Sequence, residues 1–517
     1  MIKRIFSLIC ALILSLSSFS FVACDNNLNE TGGTVLRVCN CEDYIDTDLL
    51  DEFEEETGIT VEYSTYGTNE NLYNELVINP NSYDLVVPSE YMIEKLAEEG
   101  RIQKFDFSKL EDYVCNLSPY IKDRLDNLQF TVKNGKYEGE EVSLSEFMVG
   151  YMWGTMGWVY NTDYVTEQEV SSWDGVFYNP DLAKKITIKD AVRDSYLVGL
   201  AMVYQNELKQ ATTNEEITEI LNNVNQDAID RVGEKLNSLK PMLYGFEVDS
   251  GKNDIVLGNI YAYVAWSGDA CYAIDVAARE VEDDDGSLID EKDAKSLSYS
   301  IPDEGSNIWF DGFVMPSGST NYDAVYKFLE FISRPENVYR NMNYTGYTGM
   351  VANGEFELEV EDEEGNVSVE TTDIFNSIVI DWFDESEDLE DGEGVEVNLS
   401  YFFTGNPEGE YTVKVSEESY GRLIAQYPTF DIVQKCAIMN NFSSDTLMQI
   451  NDMWEGVKGE TFPDWLIILI VALVIALAVV ILLSRNAKNI KTFKIPERKL
   501  TSMEKKGYKI IKVEEVE

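Results

Sequence analysis

The chain has 517 residues, 44% hydrophobic and 12% aromatic, enough to bury a large core spread over two or three domains. Its net charge of −54 would repel the phosphates of nucleic acid and attract a cation. Histidine is absent, which removes Ser–His and Cys–His nucleophile pairs and His-ligated metals, and no phosphate-binding loop, G-x-S-x-G, H-E-x-x-H or dinucleotide fingerprint occurs, so no enzyme, cofactor or metal is expected.

In chain order, residues 1–24 read as a secretory leader. Lys3 and Arg4 precede an apolar stretch from Ile5 to Leu16, and Phe21-Val22-Ala23-Cys24 gives a lipobox-like end, making Cys24 the candidate for lipidation. An ordinary cleaved signal or an uncleaved anchor has the same outline. Next come three short β-rich runs, Val35–Val38, Thr60–Tyr63 and Asp84–Val87. Helical patterns separate and follow them: Leu49, Leu50 and Phe53, then Leu72 and Leu76, then a segment ending at Gly100. Gly58 stands where a helix C-cap belongs. Such alternation predicts an α/β fold with a mostly parallel sheet. Ligands of open α/β sheets sit beyond the carboxyl ends of the strands, here Asn40–Tyr44 and Pro88–Tyr91.

Further along, Tyr151–Asn161 reads as a strand crossing between domains. Ile186–Ile188 leads through Lys189–Asp194 into a helix running towards Tyr204, and Ala211–Leu239 is helical. Ile260–Ala265 is a strand ending at Trp266, and Val281–Lys295 a charged, solvated loop. Phe356–Val360 and Asn366–Glu370 flank Glu363-Glu364-Gly365 as a hairpin, and Asp384–Gly394 is a charge run with no capacity for a core. Trp465–Leu483 is an uncharged run of 19 residues. As a helix it would span roughly 28 Å, enough for a bilayer core. Ten Lys or Arg against five Glu follow it, which puts this tail, 484–517, in the cytoplasm. The leader carries +2 and the tail +5, which leaves −61 on residues 24–484, the part expected outside the membrane. Leaving aside the leader cysteines, five remain, and Cys39 and Cys41 would lie side by side on one strand face, about 7 Å apart, too far to bridge.

Seven motifs in order carry a resemblance: N-x-x-x-Y at Asn40–Tyr44, VVPSEY at Val86–Tyr91, YMWGTMG at Tyr151–Gly157, RD at Arg193–Asp194, WSGD at Trp266–Asp269, EGSNIWFDGFVMP at Glu304–Pro316 and TGYT at Thr345–Thr348. The sequence resembles the polyamine-binding (spermidine/putrescine) solute receptors of ABC importers, over roughly Leu36 to Tyr347 and more weakly over Tyr427–Gly456. The resemblance implies a two-lobed periplasmic-binding-protein-like fold of type II that closes on a cationic ligand and docks on ABC permease subunits. It implies a first lobe from 34–148 and 269–316 and a second from 149–268 and 317–458, with 354–420 as an acidic insertion. Tethering would come from the C-terminal helix and Cys24. A binding-protein-like sensor or adhesin with another cationic ligand or a protein partner is the alternative.

A polyamine site needs a carboxylate for each ammonium, because an unpaired buried cation costs several kcal/mol. It also needs aromatic or apolar walls for the methylenes. Acids and aromatics stand at the expected strand ends: Asp43 with Tyr44, Ser89 with Tyr91, Asp194, Trp266 with Asp269, Trp309 with Asp311, and Tyr347. The resemblance implies that Trp266 and Trp309 are walls and that Asp269 and Asp311 bind amines. It gives Asp194 a further amine, Tyr44, Tyr91 and Tyr347 the slot lining, and Ser89 a side hydrogen bond. Cys41 departs from the family, which usually has an aromatic residue after the Asn of the first motif, and this leaves ligand length open.

Overall fold

The computed structural model describes residues 34–278, 296–361, 367–387, 389–390 and 392–459. The leader 1–24, the apolar run 465–483 and the tail 484–517 lie outside these residues, as do the charged loop 281–295 and the hairpin turn 362–366. Among the described residues no helix is long and apolar enough to cross a membrane.

Val35–Cys41 is the centre of a three-stranded parallel sheet, between Thr60–Tyr66 and Leu85–Val86. A helix follows each strand: Asp48–Thr57, Asn69–Ile78 and Glu90–Glu98. Leu49, Leu50 and Phe53 bury the inner face of the first of these. It stops at Gly58, whose left-handed φ of 70° lets its N–H return to the Glu54 carbonyl. This is the first lobe, and its alternation follows the sequence pattern.

The second lobe is organised by Val149–Asn161, a strand of 13 residues, all buried. At about 3.3 Å per residue it runs roughly 43 Å, long enough to serve both lobes. Its first half pairs with Ser306–Phe313 and Thr348–Gly349, and its second half with Ala262–Trp266 and Leu297–Ser300. Ile186–Lys189 and Leu243–Glu247 extend the sheet in parallel beyond Ala262–Trp266.

The strand pairing and packing place the lobe crossings differently from the sequence reading at two points. The helix Ser267–Ala278 and the strand Leu297–Ser300 stay with the second lobe. The chain returns to the first lobe along Ser306–Phe313, which begins beside Cys436–Ala437 and leads to Met315–Pro316, paired with Ile102–Gln103. It then remains there through helices Tyr322–Ile332 and Pro335–Thr345. Phe328 and Phe331 meet Phe53 at ring distances of 5.2 and 5.5 Å, and Arg334 pairs with Glu56 at 2.7 Å. The return therefore falls near residue 306 rather than 269, and the stay extends past 316 to Thr345. Apolar periodicity marks a buried face but does not say which sheet covers it.

In the insertion, Glu355–Glu361 and Val367–Asp373 pair as an antiparallel hairpin. The residues after it join the main core through an aromatic cluster. Phe375, Phe403 and Tyr411 pack ring to ring at 4.8–5.2 Å, and Phe402 stacks on the fully buried Trp153 at 5.3 Å.

Candidate functional site

The carboxyl ends of both sheets open on one cavity between the lobes. Its volume is about 110 Å³, on the order of ten water positions at ~10–15 Å³ each. All ten residues singled out in the sequence line it: Asp43, Tyr44, Ser89, Tyr91, Asp194, Trp266, Asp269, Trp309, Asp311 and Tyr347.

The first-lobe wall starts where Val35–Cys41 ends. Asp43 takes a left-handed φ of 50° in the turn and Tyr44 dives inward, 4% exposed. The Tyr44 hydroxyl donates to Asp311 Oδ2 at 2.8 Å, and its ring meets Tyr151 and Tyr347 edge-on at 5.4 and 4.8 Å. Ser89 occupies the N-cap position of Glu90–Glu98, yet its side chain makes no cap bond. Instead its Oγ accepts from Asn69 Nδ2 at 3.0 Å, and its backbone bridges to Asp311. A register shift between Asp311 and Gly312 turns the strand at this point. Tyr91 donates to Glu70 at 3.1 Å, and the Arg193 guanidinium of the second lobe lies 4.4 Å over its ring.

The second-lobe wall is the turn after Ala262–Trp266. Gly268 allows it: a Cβ there would stand 2.2 Å from the Tyr347 ring. Tyr347 donates to Asp269 Oδ1 at 3.0 Å and stands 5.7 Å from Trp309, ring to ring. Trp309 in turn lies against Gly154, where a Cβ would come within 2.6 Å of the indole. Trp266 Nε1 donates to Asp194 Oδ1 at 3.1 Å.

Eight carboxylates line the cavity (Glu42, Asp43, Glu70, Glu90, Asp194, Asp249, Asp269 and Asp311) against two cations, Arg193 and Lys252. Burial raises the carboxyl groups at one end. Burial pushes Asp311 up to about 6, against the pull of the nearby Ser89 and Tyr44 hydroxyls, and Glu90 to about 8. Asp194 is raised by burial as well. Asp311 Oδ1, Glu90 Oε1, both amide atoms of Asn307 and Trp309 Nε1 are buried without a partner in the protein. At the other end lysines supply positive charge. Lys189, fully buried, donates to Asp269 Oδ2 at 3.1 Å and lies 4.1 Å over the Trp266 ring. Burial alone would lower its ammonium, but Asp269 and Glu247 outweigh that and hold it above its ordinary value.

Sequence reasoning missed Glu90, Asn307, Lys189 and Lys252. Glu90 stood inside the VVPSEY motif with no role assigned. Neither lysine carried a signal, since Lys252 belongs to a loop-like stretch, Asp249-Ser250-Gly251-Lys252. Arg193 donates to the Asn440 carbonyl at 2.7 Å and lies against the Phe442 ring.

A buried, acid-lined cleft between two α/β lobes suits a cationic solute. The chain belongs to the bacterial extracellular solute-binding protein family, whose profile matches residues 48–355, more than half of its length. The putrescine-binding periplasmic protein PotF of Escherichia coli is 30% identical over 306 residues, covering 58% of this chain and 74% of its own. The spermidine/putrescine-binding periplasmic protein of Salmonella typhimurium is 28% identical over 298 residues, covering 57% and 72%. Among solved structures, the substrate-binding protein PotD from Streptococcus pneumoniae superposes with a TM-score of 0.51 at 24% identity, covering 82% of this chain and 98% of its own. The TpPotD lipoprotein of Treponema pallidum reaches 0.53 at 16%, covering 82% and 99%. At these identities the structural matches establish the two-lobed fold alone.

Proposed function

We propose that this protein is a membrane-tethered extracytoplasmic receptor that binds a polyamine, spermidine or putrescine, between its lobes and hands it to an ABC importer. The observation that carries the ligand class is the buried carboxylate end of the cavity, where Asp311 and Glu90 each keep one oxygen without a partner in the protein, walled by Trp309, Tyr347 and Tyr44. An ammonium there would restore charge to Asp311 and Glu90, and the rings would cover the methylenes and add cation–π attraction of ~0.5–2 kcal/mol per contact. The names of the relatives point the same way. The ten lining residues are the proposed contacts: Asp311 and Asp194 for amines, Asp269 at the far end where protein lysines already meet it, the aromatics for the chain, and Ser89 and Asp43 at its margin. Bending at the strands shared by the lobes would close the cleft, and the closed form would be what the permease subunits recognise.

Tethering rests on the sequence: the leader with its lipidation candidate Cys24, the 19-residue apolar run 465–483, and the basic tail beyond it. The functional experiment is a thermal-shift panel on the full-length chain with putrescine, spermidine, spermine and amino acids. A ligand that binds only the folded state raises its melting temperature. Polyamines should raise it and amino acids should not, and the ligand that does so should also shrink the radius of gyration in solution scattering. An equal response to amino acids, or none to polyamines, contradicts the reading.

A further inference from the structure

The charge inside the cavity is lopsided. Lys252, on the short helix Gly251–Val256 of the second lobe, sends its ammonium into the cavity lining with only 9% of the side chain exposed. The ammonium lies 2.9 Å from Asp249 Oδ1, 3.3 Å from Asp43 Oδ2 across the cleft, and 4.0 Å from Asp269 Oδ1. Lys189 holds the other oxygen of Asp269. Asp269 therefore meets two ammonium groups that the protein itself provides. Asp311 and Glu90 meet none: no ion pair to either occurs among the described residues, and one oxygen of each lacks a partner. Arg193 is turned to the Tyr91 and Phe442 rings and the Asn440 carbonyl.

We infer that Lys252 is a specificity determinant: its ammonium takes the place of one ligand amine at the Asp269 end, so the site selects a short diamine over a longer triamine. This deepens the polyamine reading above and rests on it. A free ammonium and Lys252 want the same three carboxylates, and with Lys189 already on Asp269 a third cation there would meet strong repulsion. The ligand's ammonium groups are confined to the Asp311, Glu90 and Asp194 end, where the buried carboxylates lack compensation, and only its methylene chain reaches Tyr347 and Asp269. Like-charge exclusion of this kind sets preference without adding any contact to the favoured ligand.

The test is calorimetric titration of the full-length protein with putrescine and with spermidine, for the wild type, Lys252→Met and Lys252→Arg. Met keeps the stem and its packing and deletes the charge. Arg keeps the charge. The wild type should favour putrescine. Lys252→Met should move the putrescine-to-spermidine affinity ratio by tenfold or more towards spermidine, and Lys252→Arg should keep the wild-type order. A wild type that favours spermidine overturns the inference whatever the variants do, which covers the case of a variant that fails to fold. A ratio unchanged in Lys252→Met overturns it while the polyamine reading stands. No binding of either amine by the wild type overturns both.

Discussion

Asp311 sits where the sequence, the strand geometry and the electrostatics meet. One of its oxygens is held by the Tyr44 hydroxyl and the other has no partner, so the carboxylate is aimed but not neutralised. Replacing it by Asn keeps the shape and deletes the charge. A charge-assisted hydrogen bond contributes roughly 1.5–3 kcal/mol, so Asp311→Asn should weaken polyamine binding about 10- to 150-fold. Asp227→Asn, on an exposed helix position outside the cavity, should change almost nothing; equal losses in both variants would reduce the attraction to diffuse charge. A pH dependence follows from the same group and from Glu90. Their folded values, about 6 and about 8, lie above the ordinary carboxyl range, so between roughly pH 4 and 8 the folded ligand-free protein binds more protons than the unfolded chain. Their contribution to stability is thus greatest in acid and declines as pH rises through those values. A bound cation favours the ionised forms, so the ligand-induced rise in melting temperature should grow from pH 5 to pH 8 and protons should be released on binding. A thermal shift that is flat with pH would contradict this. At this scale the sequence showed the aromatic and acidic residues because they sit at strand ends in fixed spacing. It hid Lys189, in a strand, and Lys252, in a short helix, because a buried lysine looks like any surface lysine until its partners are known.

Two close approaches carry the site at the level of elements. The Trp266–Asp269 turn fits under Tyr347 only because residue 268 lacks a Cβ, and the Val149–Asn161 strand accepts Trp309 only because residue 154 does. Gly268→Ala puts a methyl carbon 2.2 Å from the Tyr347 ring and must displace either the ring or the turn that presents Asp269. Polyamine affinity should fall by tenfold or more. Gly245→Ala, in a second-lobe strand with no atom near the added carbon, should leave affinity unchanged. Titration of both variants, with melting curves to check folding, decides the matter; unchanged binding in Gly268→Ala would mean that Tyr347 and Asp269 are not contacts. The first three strand–helix units were legible because period-2 and period-3.6 patterns alternate there, with Gly58 at a helix end. The insertion was legible only as a hairpin. Its aromatic cluster, Phe375, Phe402, Phe403 and Tyr411, comes from short segments with no period to read and joins the main core where Phe402 meets Trp153 in a distant strand.

For the whole molecule, the tethering proposed above, with the acidic two-lobed body outside the membrane and the basic tail inside it, rests on the charge distribution of the sequence. Protease added to intact protoplasts should remove the body and leave the tail protected, as read by antibodies against each; a protected body would end the tethering model. Lobe count and fold class were readable from the order of elements, whereas the return of the chain near residue 306 was not, because either sheet could have covered the helix Ser267–Ala278. The central claim is that a specific polyamine site, and not a diffuse field from a net charge of −61 on residues 24–484, gives this protein its ligand. Calorimetric titration of the full-length protein with putrescine and spermidine at low and moderate salt tests it most directly. Ion pairs in a buried cleft are screened far less than exposed charges. The account predicts saturable binding of one polyamine per chain that survives moderate salt. Heat that fades away as salt is raised, or no saturable binding at either salt, would contradict it.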